Sequence, residues 1–442
     1  MVKRLAVGIV VIIVVILVAS IVLSAPAQTP TISDFDRQRA QLMLKVVSDE
    51  VRKHYYDPKF HGVDLDKEFA EAKQRIENVN TMNMALSNIA NFLDSLDDSH
   101  TFFLPPSHPI RLDYGWQYQM VGERCFVTQV RANSDAASKG VKRGDQVLTI
   151  NGIAPTRETA WKLQYMYTAL RPQPSLRLVL QDLAGKQRSV EVAAHIVQTK
   201  RVTDLTDGGD IWNVIREMEA YDHYTRTRIA EFGDDLIVMR LAEFKYTPRE
   251  VAELMGKVHK HKSVILDLRG NPGGATETVE YLAGDLLSKD VKIADRVGRK
   301  ERKPMASKGS HDAFTGNLIV LVDSESASAA EILARLIQIE KRGVVLGDHS
   351  SGSVMEARHY SEKLGADTVV FYGVSITEAD LIMSDGKSLE HVGVTPDELI
   401  LPTASDLAGN LDPVMARAAE MAGVHVTSAD AAKMFPYEWP PE

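Results

Sequence analysis

Ser263-Val264-Ile265-Leu266-Asp267-Leu268-Arg269-Gly270-Asn271-Pro272-Gly273-Gly274 decides the fold. A short apolar run ends in a glycine-rich turn, and helical periodicity follows it. Leu318-Ile319-Val320-Leu321-Val322-Asp323-Ser324-Glu325-Ser326-Ala327-Ser328-Ala329-Ala330-Glu331 repeats the pattern about fifty residues later. Apolar runs of this length, bounded by turn residues and followed by helices, read as buried strands of an α/β sheet. Set side by side, the two segments bring a serine hydroxyl next to a turn rich in backbone N–H groups. Acyl transfer requires that arrangement.

Working outward, the chain alternates from Leu236 onward. Strand 236–240, helix 248–260, strand 264–268, helix 275–288, strand 318–323, helix 328–340 and strand 343–346 are expected in order. A strand over 368–374, the segment Gly393-Val394-Thr395-Pro396-Asp397 and an amphipathic helix over 407–422 close this α/β unit. It is placed at 199–425, with 199–235 as its connection to what precedes. Residues 34–108 read as an N-terminal helical domain. Its helices span 34–56, 64–79 and 81–96, and the last carries Ala85, Leu86, Ile89, Phe92, Leu93 and Leu96 on one face. That helix stops at Asp97-Asp98, and Pro105-Pro106 prevents a restart.

Between 112 and 197 the pattern changes to short strands. Phe126–Val130 alternates, Ser134–Lys139 is a short helix ending at Gly140, and Gly144-Asp145 turns into Gln146–Ile150. Residues 176–180 and 190–192 form a closing hairpin. The run from Asn133 to Gly152 resembles a PDZ domain of the bacterial protease type. That resemblance implies recognition of exposed peptide C-termini by strand addition to a sheet edge, with Tyr114-Gly115-Trp116 as the carboxylate-binding loop.

At 442 residues the chain is too long for one core. Its 44% hydrophobic and 25% charged content is that of a globular protein. A net charge of −9 without a basic run excludes broad nucleic-acid binding. The single cysteine, Cys125, excludes an internal disulfide and reads as a buried structural thiol. Lys3-Arg4, an unbroken apolar stretch over 5–23 and Ala25-Pro26-Ala27 make residues 1–27 a signal peptide or a membrane anchor. Either places the rest of the chain outside the cytoplasm, in the periplasm or cell envelope.

Ser328 is the candidate nucleophile. It opens a helix, whose N-terminus offers free N–H groups to a developing oxyanion. Ala329 supplies one donor and Gly273 or Gly274 a second, since glycine admits a close substrate carbonyl. The alternative is that Ser324, Ser326 and Ser328 merely cap the helix. A serine hydroxyl needs a base at neutral pH.

Residues 264–274 and 326–331 resemble the catalytic core of the C-terminal-processing, or tail-specific, serine peptidases, and the similarity extends over most of the chain after residue 34. The resemblance implies a Clp-protease/crotonase-like fold with Ser328 as nucleophile and unfolded or C-terminally exposed proteins as substrates. In these peptidases a lysine 25 residues later is the base; that position is Ser353 here, so a Ser–Lys dyad fails. The tricorn-like branch instead uses a histidine, matched by Ser99-His100, and a glutamate, matched by Glu390 in Glu390-His391-Val392-Gly393-Val394-Thr395-Pro396-Asp397. The expected site is therefore Ser328, His100, Ser99 and Glu390, without metal or other cofactor.

His349, in the loop that lost the lysine, is the rival base, with Lys363 and Lys387 behind it. His259 and His261 lie among Lys257, Lys260 and Lys262 and read as a solvated face. Gly270-x-x-Gly273-Gly274 lacks the Gly-Lys-Ser/Thr ending of a phosphate-binding loop. Two other functions fit the same residues: a non-catalytic binding or scaffold protein that kept the fold, and a hydrolase of non-peptide esters or amides.

Overall fold

The computed structural model describes residues 31–108, 110–198, 220–365 and 369–439. The expected leader at 1–27 and much of the 199–235 connection lie outside the described residues. Among those described, no helix is long and apolar enough to cross a membrane.

Helices α1 (Asp34–His54), α2 (Leu65–Asn78) and α3 (Met82–Asp94) come first. Ser33, Asp64 and Thr81 cap them, each accepting a backbone N–H with its side chain. Strand β1 (Phe102–Leu104) follows the turn that carries Ser99 and His100. Then come β2 (Ile110–Asp113), β3 (Trp116–Val121), β4 (Arg124–Val130), α4 (Asp135–Ser138), β5 (Gln146–Ile150) and α5 (Ala160–Tyr165), which a π turn prolongs to Leu170. Strands β6 (Ser175–Gln181) and β7 (Gln187–Ala193) make a hairpin, and β8 (His195–Gln198) leads out. Strands β3 to β7 form one antiparallel sheet in sequence order, with β3 at its edge. Trp116, Cys125, Val127, Ile150, Leu163 and Leu178 fill the core beneath α5. Strands β2 and β8 pair antiparallel at the neck, where the chain enters and leaves this β-rich unit.

The α/β unit begins at β9 (Arg228–Phe232) and β10 (Leu236–Arg240). Next in chain order are α6 (Pro248–Val258), β11 (Ser263–Asp267), α7 (Thr276–Leu286), β12 (Val291–Val297), β13 (Met305–Ser307), β14 (Asn317–Val322), α8 (Ala329–Ile339) and β15 (Val344–Gly347). The hairpin β16 (Met355–Leu364) and β17 (Val370–Met383), strand β18 (Glu398–Leu399) and helices α9 (Ala404–Ala408), α10 (Pro413–Met421) and α11 (Ser428–Met434) complete it.

The main sheet has the order β18-β15-β14-β11-β10-β9, parallel except for β9. Successive side chains of a strand point to opposite faces. Accordingly Val264 and Leu266 join the core under α6, α7 and α8, while Ile265 joins the core under α10 and α11. Burial on both faces explains why the deciding segment is apolar without alternation.

Two expectations need correction. The helix expected over 407–422 is two helices, because Asp412 caps a new one and Pro413 cannot continue the old. The strand expected over 368–374 runs from 370 to 383 and belongs to a second sheet, β1-β17-β12-β13, with β16 paired to β17. The N-terminal helices share a core with that sheet: Phe92, Leu93 and Phe103 pack with Tyr372, Val374 and Ile376. The register Phe102↔Ser375 fixes the turn carrying His100 against β17.

Candidate active site

The three serines of the second motif have separate fates. Ser326 is fully buried; its hydroxyl donates to Leu268 O at 2.8 Å and accepts from Asp323 N at 2.9 Å. Ser324 donates to Met120 O on β3 at 2.6 Å. Among the described residues the Ser328 hydroxyl pairs with no other side chain and faces only the Glu331 backbone N–H at the start of α8, so it is the one of the three left for chemistry. Its backbone is held at φ 54°, ψ −121°. A non-glycine residue in that region is strained, as expected of a nucleophile lifted on a sharp strand-to-helix turn.

Two features hold the turn. Glu331, fully buried in the first turn of α8, accepts Ser328 N at 3.0 Å and Ser353 N at 3.0 Å on one oxygen. Its other oxygen accepts Gly352 N at 2.7 Å and the Ser350 hydroxyl. Burial pushes this carboxyl up to about 7, and the four donors oppose that rise. The second feature is Gly273 at φ +97°, where a Cβ would lie 2.7 Å from Ser328 Cβ and 2.9 Å from Ala329 N. No side chain fits between the two motifs.

That packing also sorts the expected oxyanion donors. Gly273 N–H is taken by Asn271 Oδ1 at 2.8 Å, so Gly273 supplies room and not a donor. Gly274 N and Ala329 N, the latter first in α8, have no acceptor among the described residues.

Ser99, His100 and Glu390 come together from sequence positions almost three hundred residues apart. Glu390 accepts Ser99 N at 2.7 Å on Oε1; on Oε2 it accepts the Ser99 hydroxyl at 2.9 Å and Val354 N at 2.8 Å. Ser99 Oγ lies 2.7 Å from His100 Nδ1. With the Ser99 proton given to the carboxylate, Ser99 Oγ can only accept from Nδ1–H. The Nε2 lone pair is then left to act as a base. Burial holds the His100 imidazole down to about 4, with a push in the same direction from His359 and opposition from Asp98. Burial also raises Glu390.

Asp98 fixes the turn: its Oδ1 accepts His100 N at 2.9 Å, Thr101 N at 2.7 Å and the Thr377 hydroxyl of β17 at 2.7 Å. No hydrogen bond joins Ser328 Oγ to His100. The connection runs through one peptide group: Ser353 O accepts Ser328 N at 2.8 Å, and Val354 N of the same peptide donates to Glu390. Catalytic contacts in unliganded enzymes commonly tighten only with substrate.

His349 Nδ1 faces Thr395 Oγ1 at 3.4 Å, and Lys363 and Lys387 are exposed. Ser353 Oγ pairs with Ser351 Oγ at 2.9 Å. Among the described residues no group of three or more metal-binding side chains forms. Sequence reasoning left Asn271, Asp98, Thr377 and Glu331 without roles. Only Glu331 carried a signal, the Ser-x-x-Glu pattern of a helix start.

The β-rich unit sits directly on the loop that leads to Ser328. Gln119 Nε2 of β3 donates to Asp323 Oδ2 at 2.7 Å, and Gly122 N donates to Asp348 Oδ2 at 2.8 Å. Arg157 pairs with Asp348 at 2.7 Å.

Residues 235–400 match peptidase family S41. The carboxyl-terminal-processing peptidase 1, chloroplastic, of Arabidopsis thaliana is 24% identical over 346 residues, which cover 73% of this chain and 64% of that protein. The carboxy-terminal-processing protease of Bartonella bacilliformis is 31% identical over 280 residues, 61% of this chain and 56% of that protein. The chain thus spans less than two thirds of the length of either relative. The crystal structure of mature CPAF superposes with a TM-score of 0.64 at 13% identity, covering 85% of this chain and 95% of that one, and so shares the fold. That match to peptidase family S41 spans both motifs and Glu390.

Proposed function

We propose that this chain is a serine endopeptidase acting outside the cytoplasm on protein substrates, with residues 112–197 as a PDZ-like unit that recruits exposed C-termini. Residues 1–27 serve as its export signal or anchor. Ser328 Oγ attacks the scissile carbonyl carbon while His100 Nε2 takes its proton. The negative charge that forms on the carbonyl oxygen is held by Gly274 N–H and Ala329 N–H. His100 then gives the proton to the leaving amine, and an acyl group remains on Ser328. Water, deprotonated by the same imidazole, releases it. Ser99 and Glu390 act through His100 by fixing its tautomer and stabilising the imidazolium.

One observation carries this reading: the Glu390–Ser99–His100 relay, with contacts of 2.9 and 2.7 Å, is tied to the peptide that holds Ser328 N. A fluorophosphonate tests it. Labelling at Ser328 that disappears in Ser328→Ala and falls strongly in His100→Ala supports the peptidase. A folded chain that binds peptide but takes no label supports the scaffold reading instead, which the missing Ser328–His100 hydrogen bond favours. Cleavage of simple esters without degradation of unfolded protein would point to a non-peptide hydrolase.

A further inference from the structure

The free edge of β3 and helix α5 enclose a groove of about 330 Å³. Trp116, Tyr118, Leu163 and Tyr167 line it, and so does Trp439, from the opposite end of the chain. The Arg131 guanidinium lies 4.7 Å from the centre of the Trp439 ring, within cation–π range, and Tyr437 meets that ring edge-on at 5.0 Å. The segment around Trp439 is pinned along its length. Arg228 donates to Pro436 O at 2.7 Å, Arg226 makes two bonds to Glu438 at 3.0 and 2.7 Å, and Tyr224 donates to Trp439 O at 2.9 Å.

Pro436, Tyr437 and Glu438 also line a second cavity, of about 920 Å³, which reaches Gly270, Pro272 and Asp323 beside the two catalytic motifs. One short strap therefore borders both the groove and a cavity walled in part by both motifs. Trp116, which lines the groove, carries a buried Nε1–H with no acceptor among the described residues. A buried donor without a partner is costly, and a main-chain carbonyl arriving along the β3 edge would satisfy it.

We propose that Pro436–Trp439 is an intrachain occupant of the β3–α5 groove, and that an extended peptide carrying an aromatic side chain displaces Trp439 from beneath Arg131. The groove then selects indole or phenol side chains, and the larger cavity widens only when the strap leaves. The proposal rests on reading 112–197 as a peptide-binding unit and not on the role of Ser328.

A fluorescein-labelled peptide with the sequence of residues 432–442 is the probe, read by fluorescence anisotropy. It is titrated into the intact chain, Trp439→Ala, and a chain ending at Phe435. Binding at least tenfold tighter to both altered chains than to the intact one is expected, with loss of that gain when Arg131→Ala is added or when the probe's own Trp is replaced by Ala. Equal affinity for intact and Trp439→Ala chains, or a probe indifferent to its Trp, overturns the proposal. Should the shortened chain not fold, Trp439→Ala, a substitution next to the end of the described chain, decides alone. A reduced, carboxymethylated protein in parallel separates the two readings. If it binds neither chain while the probe still discriminates, substrate recruitment fails and the strap stands. If it binds intact and Trp439→Ala chains equally, the strap fails and recruitment stands.

Discussion

Replacing Glu390 by Gln keeps shape and removes charge, so it isolates what the carboxylate does. Its Oε2 is at most about 5.6 Å from His100 Nδ1, the 2.9 and 2.7 Å contacts laid end to end. At an effective dielectric constant of ~20 a full charge at that separation stabilises the imidazolium by about 3 kcal/mol, on the order of 10²-fold in rate. The amide adds a second defect. Three donors converge on Glu390: Ser99 N, the Ser99 hydroxyl and Val354 N. Glutamine offers one oxygen. With that oxygen toward Val354, its NH2 faces Ser99 N–H. In the reverse orientation the NH2 donates to Ser99 Oγ, which then donates to Nδ1 and leaves the proton on Nε2, so the base is lost. Either orientation leaves a buried donor unpaired at about 1–3 kcal/mol. The expected result is a fall in kcat of about 10² to 10³ with KM little changed, and a matching fall in the rate of fluorophosphonate labelling at Ser328. Ser99→Ala, which breaks the same relay, should reproduce most of the loss. If Glu390→Gln stays within threefold of the parent while folding normally, the relay is not the source of basicity at His100.

Acid behaviour follows from the same ring. Burial holds folded His100 at about 4 against 6.5 for the free side chain, so the neutral base persists well below the usual histidine range. The acidic limb of kcat/KM should fall below pH 6, and a limb at or above 6.5 would count against the buried setting. Because the folded pKa is the lower one, its stability contribution is complete above pH 6.5. It is lost as pH drops toward 4, at up to about 1.4 kcal/mol per unit, and urea melts of parent and His100→Gln across that window measure it. Gly273→Ala forces a Cβ to 2.7 Å from Ser328 Cβ at φ +97°. It should cost about 1–3 kcal/mol and abolish labelling of Ser328 even where a melt shows the chain folded. Asp412→Ala removes the cap of α10 and one of the two carboxylates bonded to Arg269, which donates to Asp412 at 2.9 Å twice. A loss of about 3 kcal/mol in urea unfolding is expected, and less than 1 would show that Asp267 alone satisfies the guanidinium.

What was readable in the sequence had local causes. The strands at 263–267 and 317–322 are buried on both faces, so their apolar runs stand out. The turns Asn271–Gly274 and Ser324–Ser328 follow from small residues and glycine. The β-rich unit was legible through turn chemistry at Gly140, Gly144 and Asn151-Gly152. The second sheet was hard to see because β16 carries Arg358, His359, Glu362 and Lys363 and only part of it is buried. Its partner β17 has an expected strand only over its first half. The strap at 436–439 has neither periodicity nor a motif, since side-chain and carbonyl contacts to residues more than two hundred positions away hold it. Gly273 was read as a donor because glycine permits close approach. Whether its N–H is free depends on the Asn271 side chain, which no spacing rule reveals.

With His100 as the proposed base, serine at 353 is no obstacle to the reaction. A lysine base would reach the nucleophile from its own loop. Here that loop contributes a peptide group instead: Ser353 O holds Ser328 N, and Val354 N holds Glu390. Glu331 fastens the same loop from below through Gly352 N and Ser353 N. Any shift of residues 350–354 therefore moves the strained nucleophile turn and the carboxylate that orients His100 together. The β-rich unit grips the start of this loop through Arg157 and Asp348. It also grips the nucleophile loop through Gln119 and Ser324. Movement of β3 as the groove changes occupant thus has two short hydrogen-bonded routes to Ser328, and one of them also reaches Glu390. Coupling of this kind predicts that Arg157→Ala lowers kcat more than it weakens peptide binding. Anisotropy and initial rates on the same variant measure the two effects. An equal loss in both would leave the β-rich unit as a recruiter without influence on the chemistry.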